Sequence, residues 1–236
     1  MENDDLIPKI IHYCWFGRNE KPKKVKKIID RWKLILKEYN FVEWNEENFC
    51  IEECCDFVKK AYKEKKWAFV SDYVRMQVLY KYGGIYLDTD VIILKNFDDY
   101  LTENMFVSFE SENSLCTAII GAKPHNILIY NFLELYFSFD FDKNNLKPNS
   151  ELLYNFLSNF YNQTINFNEE TKFNDITIYP RRIFGAKDNK TYKKEVTSDT
   201  IAIHNFDASW YNPIHKILHK LKIITMSLFY FSGGKK

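Results

Sequence analysis

Ala68 to Leu94 reads AFVSDYVRMQVLYKYGGIYLDTDVIIL, and the rest of the chain is understood outward from it. Its first half carries Phe69, Tyr73, Met76, Val78, Leu79 and Tyr80 near helical spacing, which predicts a helix burying one side. Gly83 and Gly84 follow, and glycine takes the left-handed backbone of a helix C-cap at little steric cost. Ile85 to Asp90 then predicts a strand. Residues two apart in an extended chain share a face, so Tyr86, Asp88 and Asp90 fall on one side and Ile85 and Leu87 on the other, toward core. Two carboxylates on one face repel, and they lose hydration when partly buried unless a cation sits between them. Mg²⁺ or Mn²⁺ suits such oxygen ligands and commonly shares them with substrate phosphates. The local expectation is a metal and diphosphate site with Asp88 and Asp90 as its catalytic carboxylates.

The spacing alone is not distinctive: with about one aspartate in twenty, a chain of this length holds an Asp-x-Asp by chance about half the time. Asp140-Phe141-Asp142 repeats it in a polar stretch and reads as a solvated loop. The pair at Asp88 differs, since apolar strand precedes it and Val91-Ile92-Ile93-Leu94 follows, although a surface turn remains the competing reading of the pair in isolation.

The 236 residues, 46% hydrophobic and 17% aromatic, suit one globular domain with a sizeable core. A net charge of +1 gives no overall pull toward nucleic acid. Five cysteines are an odd number, and Cys50, Cys54 and Cys55 lack the spacing of a zinc site, so reduced, mostly buried thiols in a cytosolic protein are expected. The acidic Met1 to Asp5 does not read as a signal peptide, and no apolar run reaches membrane-spanning length. The expected location is cytoplasmic.

Lys9 to Trp15 predicts a first strand, Pro22 to Leu36 a helix, Phe41 to Trp44 a second strand and Ile51 to Tyr62 a second helix. That alternation argues for a mainly parallel sheet with helical crossovers. Trp15 and Gly17 then sit at the carboxyl end of a strand, where α/β proteins open their pockets. The indole there either stacks on a nucleobase or fills core. Asp72, Arg75 and Leu79 share one helix face, so Asp72 and Arg75 read either as an intrahelical ion pair or as contacts to ribose, sugar or phosphate. Further on, Met105 to Phe109 and Ala118 to Ala122 predict strands, and Asn126 to Phe139 and Glu151 to Phe160 predict helices. Thr200 to His204 predicts a short strand delivering a histidine, a structural group or a metal ligand. Pro213 to Phe231 has helical rhythm and the tail is basic, so it reads either as an ordinary docking helix or as one making peripheral contact with an anionic membrane.

Ser71-Asp72-Tyr73-x-Arg75, followed by Leu79-Tyr80-x-Tyr82-Gly83-Gly84-Ile85-Tyr86-Leu87-Asp88-x-Asp90, resembles the core of glycosyltransferases that carry the DXD sugar-binding region. These include yeast mannosyltransferases, bacterial capsular polysaccharide transferases and, more distantly, the glucosylating domains of clostridial toxins. Ile7-Pro8-Lys9-Ile10-Ile11-His12-x-x-Trp15-x-Gly17 resembles the family's opening motif, and His204-x-x-x-x-Ser209-Trp210 its late signature. The resemblance implies a GT-A-like α/β fold, Rossmann-like, with a mixed, mainly parallel sheet flanked by helices. It implies a nucleotide-sugar core over about 7–122, an acceptor-side region over about 123–199 and a closing segment over about 200–236, all in one domain. Trp15, Gly17, Asp72, Arg75, Tyr86, Asp88, Ser209 and Trp210 become donor-binding residues, and Asp88, Asp90 and His204 ligands of Mn²⁺ or Mg²⁺. The activity implied is metal-dependent, retaining transfer of a hexose or N-acetylhexosamine, from a UDP-sugar in bacterial relatives or GDP-mannose in yeast ones. The partners implied are a nucleotide-sugar donor and a glycan or lipid-linked acceptor, as in bacterial surface polysaccharide synthesis, and no nucleic acid. Cys116-Thr117 stands where the family commonly has an asparagine near the sugar, and Glu110 is a candidate for a supporting role. Two other classes fit the carboxylate pair: a Mg²⁺-dependent phosphohydrolase, against which Ile92 stands where such enzymes have threonine, and a non-catalytic sugar-binding module.

Overall fold

The structure is a computed structural model that describes residues 5–142 and 145–207. Ser209, Trp210 and the basic C-terminal helix expected over 213–231 lie outside the described residues. Strand β1 (Ile10–Cys14) leads into helix α1 (Lys23–Ile35), then β2 (Asn40–Trp44), α2 (Asp56–Lys63) and α3 (Trp67–Tyr82). Next come β3 (Gly84–Leu87), β4 (Val91–Ile93), β5 (Met105–Ser111), β6 (Ser114–Leu115) and β7 (Ile119–Ala122). Helices α4 (Ile127–Ser138) and α5 (Asn149–Tyr161) precede β8 (Thr171–Lys172), β9 (Thr177–Tyr179), α6 (Arg181–Phe184) and β10 (Ala202–His204).

Eight strands form one mixed sheet in the order β2-β1-β3-β7-β5-β9-β8, with β6 alongside β5. β1 runs parallel to both β2 and β3, and β5 to β9, while β7 is antiparallel to β3 and β5. The strand side chains alternate between two cores, as a sheet covered on both faces requires. Ile11 and Tyr13 of β1 and Ile85 and Leu87 of β3 face Trp32, Val25 and Ile29 of α1. Cys14 and Tyr86 face the opposite way, into the cluster formed with α2, α3, α4 and α5. β4 and β10 form a separate antiparallel pair.

Three local expectations need correction. The helix expected over Ile51 to Tyr62 is broken: Ile51–Glu53 forms a single 3-10 turn, and extended backbone at Cys54 and Cys55 turns both thiols inward before α2 begins. α3 is buried around most of its circumference, not on one side, because α2 and α4 cover what the sheet does not; Val70, Val74 and Arg75 are buried along with Met76 and Leu79. The extended chain stops at Leu87, and Asp88 to Asp90 is a turn closed by the Val91 N–H donating to the Asp88 carbonyl at 3.0 Å.

The Gly83-Gly84 junction lets β3 start directly beneath the end of α3. Gly83 has φ +63°, and a Cβ there would lie 2.7 Å from Pro124 Cδ; at Gly84, φ +101°, it would lie 2.7 Å from the Ile10 carbonyl of β1. His12 ties this corner together. Its Nε2–H donates to the Gly83 carbonyl at 2.8 Å, and its Nδ1 accepts from the Trp44 indole N–H at 3.1 Å.

Candidate active site

The acidic turn sits at the carboxyl end of β3, the edge at which a parallel α/β sheet opens its crevice. Asp88 Oδ1 accepts the Tyr86 hydroxyl at 2.9 Å and lies 3.3 Å from Arg75 Nη2. Arg75, almost fully buried, spends its fork on protein groups. It pairs with Asp72 at 2.8 Å, donates to the Thr117 carbonyl at 2.7 Å and to the Ser71 carbonyl at 3.2 Å, and lies 4.7 Å from the Tyr86 ring centre. The ion pair expected from helix spacing is therefore present, but extended into a bridge between Asp72 and Asp88. Burial pushes the Asp72 carboxyl up to about 6 despite the opposing pull of Arg75.

Asp90 turns away from that network. Its Oδ2 accepts the Asp207 backbone N–H at 2.8 Å, and its Oδ1 lies 3.4 Å from His204 Nε2. β10 delivers the histidine by pairing with β4 in the register His204 to Val91, one residue past the turn. Burial opposes charge on both partners, but each stabilises the other's charged form, so Asp90 is held below and His204 well above its ordinary range. One ligand atom from each of Asp88, Asp90 and His204 lies within 4.8 Å of the others. Among the described residues His204 Nδ1 is buried without a conventional hydrogen bond, and the Cys116 thiol is a neighbour of the ring. Two carboxylates and an imidazole so gathered fit a divalent cation. Glu110 and Cys116 gather around the same His204, again within 4.8 Å, and burial pushes both their acids up.

Trp15 and Gly17 stand at the end of β1, the parallel neighbour of β3. Trp15 is partly buried, and its indole N–H donates to the Asn19 carbonyl at 2.6 Å. Gly17 has φ +98°, donates its N–H to Glu46 at 2.7 Å and passes so close to Trp67 that a Cβ would lie 2.8 Å from its ring. The fold thus joins Asp72, Arg75, Tyr86 and Asp88 in one network and Asp90 and His204 in a second beside it, while Trp15 and Gly17 share their edge of the sheet.

Sequence reasoning missed Lys187 and Asn189. Lys187 donates to the Asn205 carbonyl at 2.5 Å, with its ammonium 4.8 Å from the Tyr192 ring centre and 5.8 Å from that of Phe206. Burial lowers its pKa, which the carboxylates of Asp207 and Asp90 partly offset. Asn189 donates from Nδ2 to Glu110 Oε1 at 2.8 Å. No local spacing marks either residue; both lie in a lysine-rich stretch that reads as loop.

Known proteins share the segment that builds this turn. Residues 22–107 match the family described as "Glycosyltransferase sugar-binding region containing DXD motif". Inositol phosphoceramide mannosyltransferase 3 of Schizosaccharomyces pombe is 33% identical over 131 residues, covering 52% of this chain and 35% of that protein. A human alpha-1,4-N-acetylglucosaminyltransferase is 34% identical over 78 residues, covering 31% of this chain and 22% of that protein. The chain therefore spans about a third or less of the length of these two relatives. Among solved structures the PaToxG glycosyltransferase superposes with a TM-score of 0.56 at 20% identity, over 66% of this chain and 70% of that one, a likeness of fold. Helix α3, the glycine junction and the acidic turn all fall inside the segment that matches the family of glycosyltransferases with a DXD-containing sugar-binding region.

Proposed function

We propose that this chain transfers a hexose or N-acetylhexosamine from a nucleotide-sugar to a glycan or lipid-linked acceptor, with Mn²⁺ or Mg²⁺ held by Asp88, Asp90 and His204. The observation that carries the reading is the convergence of those three side chains, one ligand atom from each lying within 4.8 Å of the others. The names of the mannosyl- and N-acetylglucosaminyltransferase relatives support the sugar classes. A bound cation would stabilise the negative charge that develops on the departing diphosphate. The protein's own groups prepare for that. Tyr86 and Arg75 fix Asp88, the Asp207 N–H fixes Asp90, and Lys187 adds positive charge near Asp90. Trp15 offers its ring face to the base, and Asp72 a carboxylate to the ribose or sugar hydroxyls. Transfer with retention belongs to the same proposal; the anomer of the first-formed product, read by NMR, would overturn it by being inverted. A reducing, cytoplasmic setting also belongs to it, in keeping with five free cysteines.

The test is a melting-temperature panel of UDP, GDP, UDP-glucose, UDP-N-acetylglucosamine and GDP-mannose with and without Mn²⁺, on wild type and Asp90→Ala. A ligand of the native state must raise its melting temperature. At least one nucleotide should stabilise the wild type only with metal, and Asp90→Ala should abolish the gain. No gain from any of the five overturns the reading.

A further inference from the structure

The loop after α6 carries a second set of polar groups to the same histidine. It leaves over the end of β5, where a Cβ on Gly185 would lie 3.2 Å from the Phe109 carbonyl and 3.5 Å from Cys116 Sγ. Arg181, itself buried, pairs with Asp188 and with Glu195 at 2.7 Å, clamping the loop at both ends. Asp188 also accepts the backbone N–H groups of Lys190 at 3.0 Å and Thr191 at 2.6 Å. Asn189 is thus fixed between restrained neighbours, and its amide is aimed at Glu110, to which Nδ2 donates at 2.8 Å. That hydrogen bond fixes which way the amide points. Its Oδ1 is then buried and has no partner among the described residues. An acceptor in that condition costs free energy that a ligand's donor would recover. Glu110 in turn lies with Cys116 around His204, the residue that also stands with Asp88 and Asp90.

We propose that Glu110 and Asn189 form a sugar-hydroxyl subsite, in which the carboxylate and the amide oxygen accept O–H groups of the sugar carried by the nucleotide donor. The inference rests on the donor reading above and extends it to residues outside the matched segment 22–107. Two acceptors side by side, next to the groups assigned to the diphosphate, suit a pyranose whose hydroxyls are all donors. A site that hydrogen-bonds hydroxyls discriminates far more strongly than an apolar pocket, because a missing hydroxyl leaves its own polar groups unpaired.

The test separates sugar from nucleotide. Affinities for UDP and GDP, and for UDP-glucose, UDP-N-acetylglucosamine and GDP-mannose, are measured by calorimetry with Mn²⁺ on wild type, Asn189→Ala and Glu110→Gln. Both variants should melt within a few degrees of wild type. For the sugar conjugate that wild type binds, each variant should lose about tenfold in affinity while its parent diphosphate changes less than about twofold. Equal losses for conjugate and diphosphate, or no loss for the conjugate in Asn189→Ala, overturn the subsite and leave the donor reading standing. Failure of wild type to bind any of the five overturns both.

Discussion

Arg75 carries a charge that two carboxylates and two carbonyls all use, in a position almost closed to water. Arg75→Met would leave Asp72 and Asp88 without their shared partner, and removing one member of a buried ion pair costs about 3–5 kcal/mol. A fall of that size in unfolding free energy is expected by urea titration, with Arg75→Lys recovering only part of it because an ammonium lacks the fork. His12 sets a pH dependence. Its neutral ring donates from Nε2 and accepts at Nδ1, so a second proton would face the Trp44 N–H, and burial pushes its pKa down from 6.5 to about 4. As pH falls through 6.5 the unfolded chain takes up a proton that the folded chain refuses. Stability is therefore full above that value and declines until about pH 4, by about 3 kcal/mol. Urea midpoints of wild type and His12→Gln at pH 4.5 and pH 7 check this, the variant showing the shallower decline. Equal slopes in the two proteins would rule His12 out as the source.

The elements divide by how local their causes are. β1, α1, β2, α3, β3, α4 and α5 lie close to where periodicity puts them, since continuous apolar strands and helical spacing are properties of neighbouring residues. The acidic turn was legible in composition but not in conformation. Alternation along a strand would align Asp88 with Asp90, whereas the backbone actually turns and sends Asp88 to Arg75 and Asp90 to His204. No spacing rule finds Asn189 beside Glu110, because that contact is made by the way α6 packs on β5. His204 was expected as a ligand through resemblance, and what places it is the register of β10 on β4. Gly84 is the most constrained joint of the series. Gly84→Ala would put a methyl against the Ile10 carbonyl at a left-handed φ, with an expected loss of about 2–4 kcal/mol, measured as a lowered urea midpoint.

Across the molecule, the two cores stabilise the sheet from both faces, while the β4–β10 pair packs into the core on the α1 side as a separate ladder of three residues per strand. Native-state hydrogen exchange should find the amides of Ala202–His204 opening faster than those of Ile11 to Tyr13 in β1. If the proposed donor site is right, nucleotide with Mn²⁺ should slow the former and leave the latter unchanged. The same pair has a consequence for synthesis. The Asp90 carboxylate waits for a backbone group 117 residues further along, at Asp207, which at 5–20 residues per second is roughly 6–23 s of elongation. Throughout that interval Val91-Ile92-Ile93 is a nascent apolar edge with no strand to cover it. A ribosome that stalls or terminates just before β10 emerges would release a chain with every strand of the main sheet, no assembled site and an exposed template for self-association, a product for chaperones and proteases to remove.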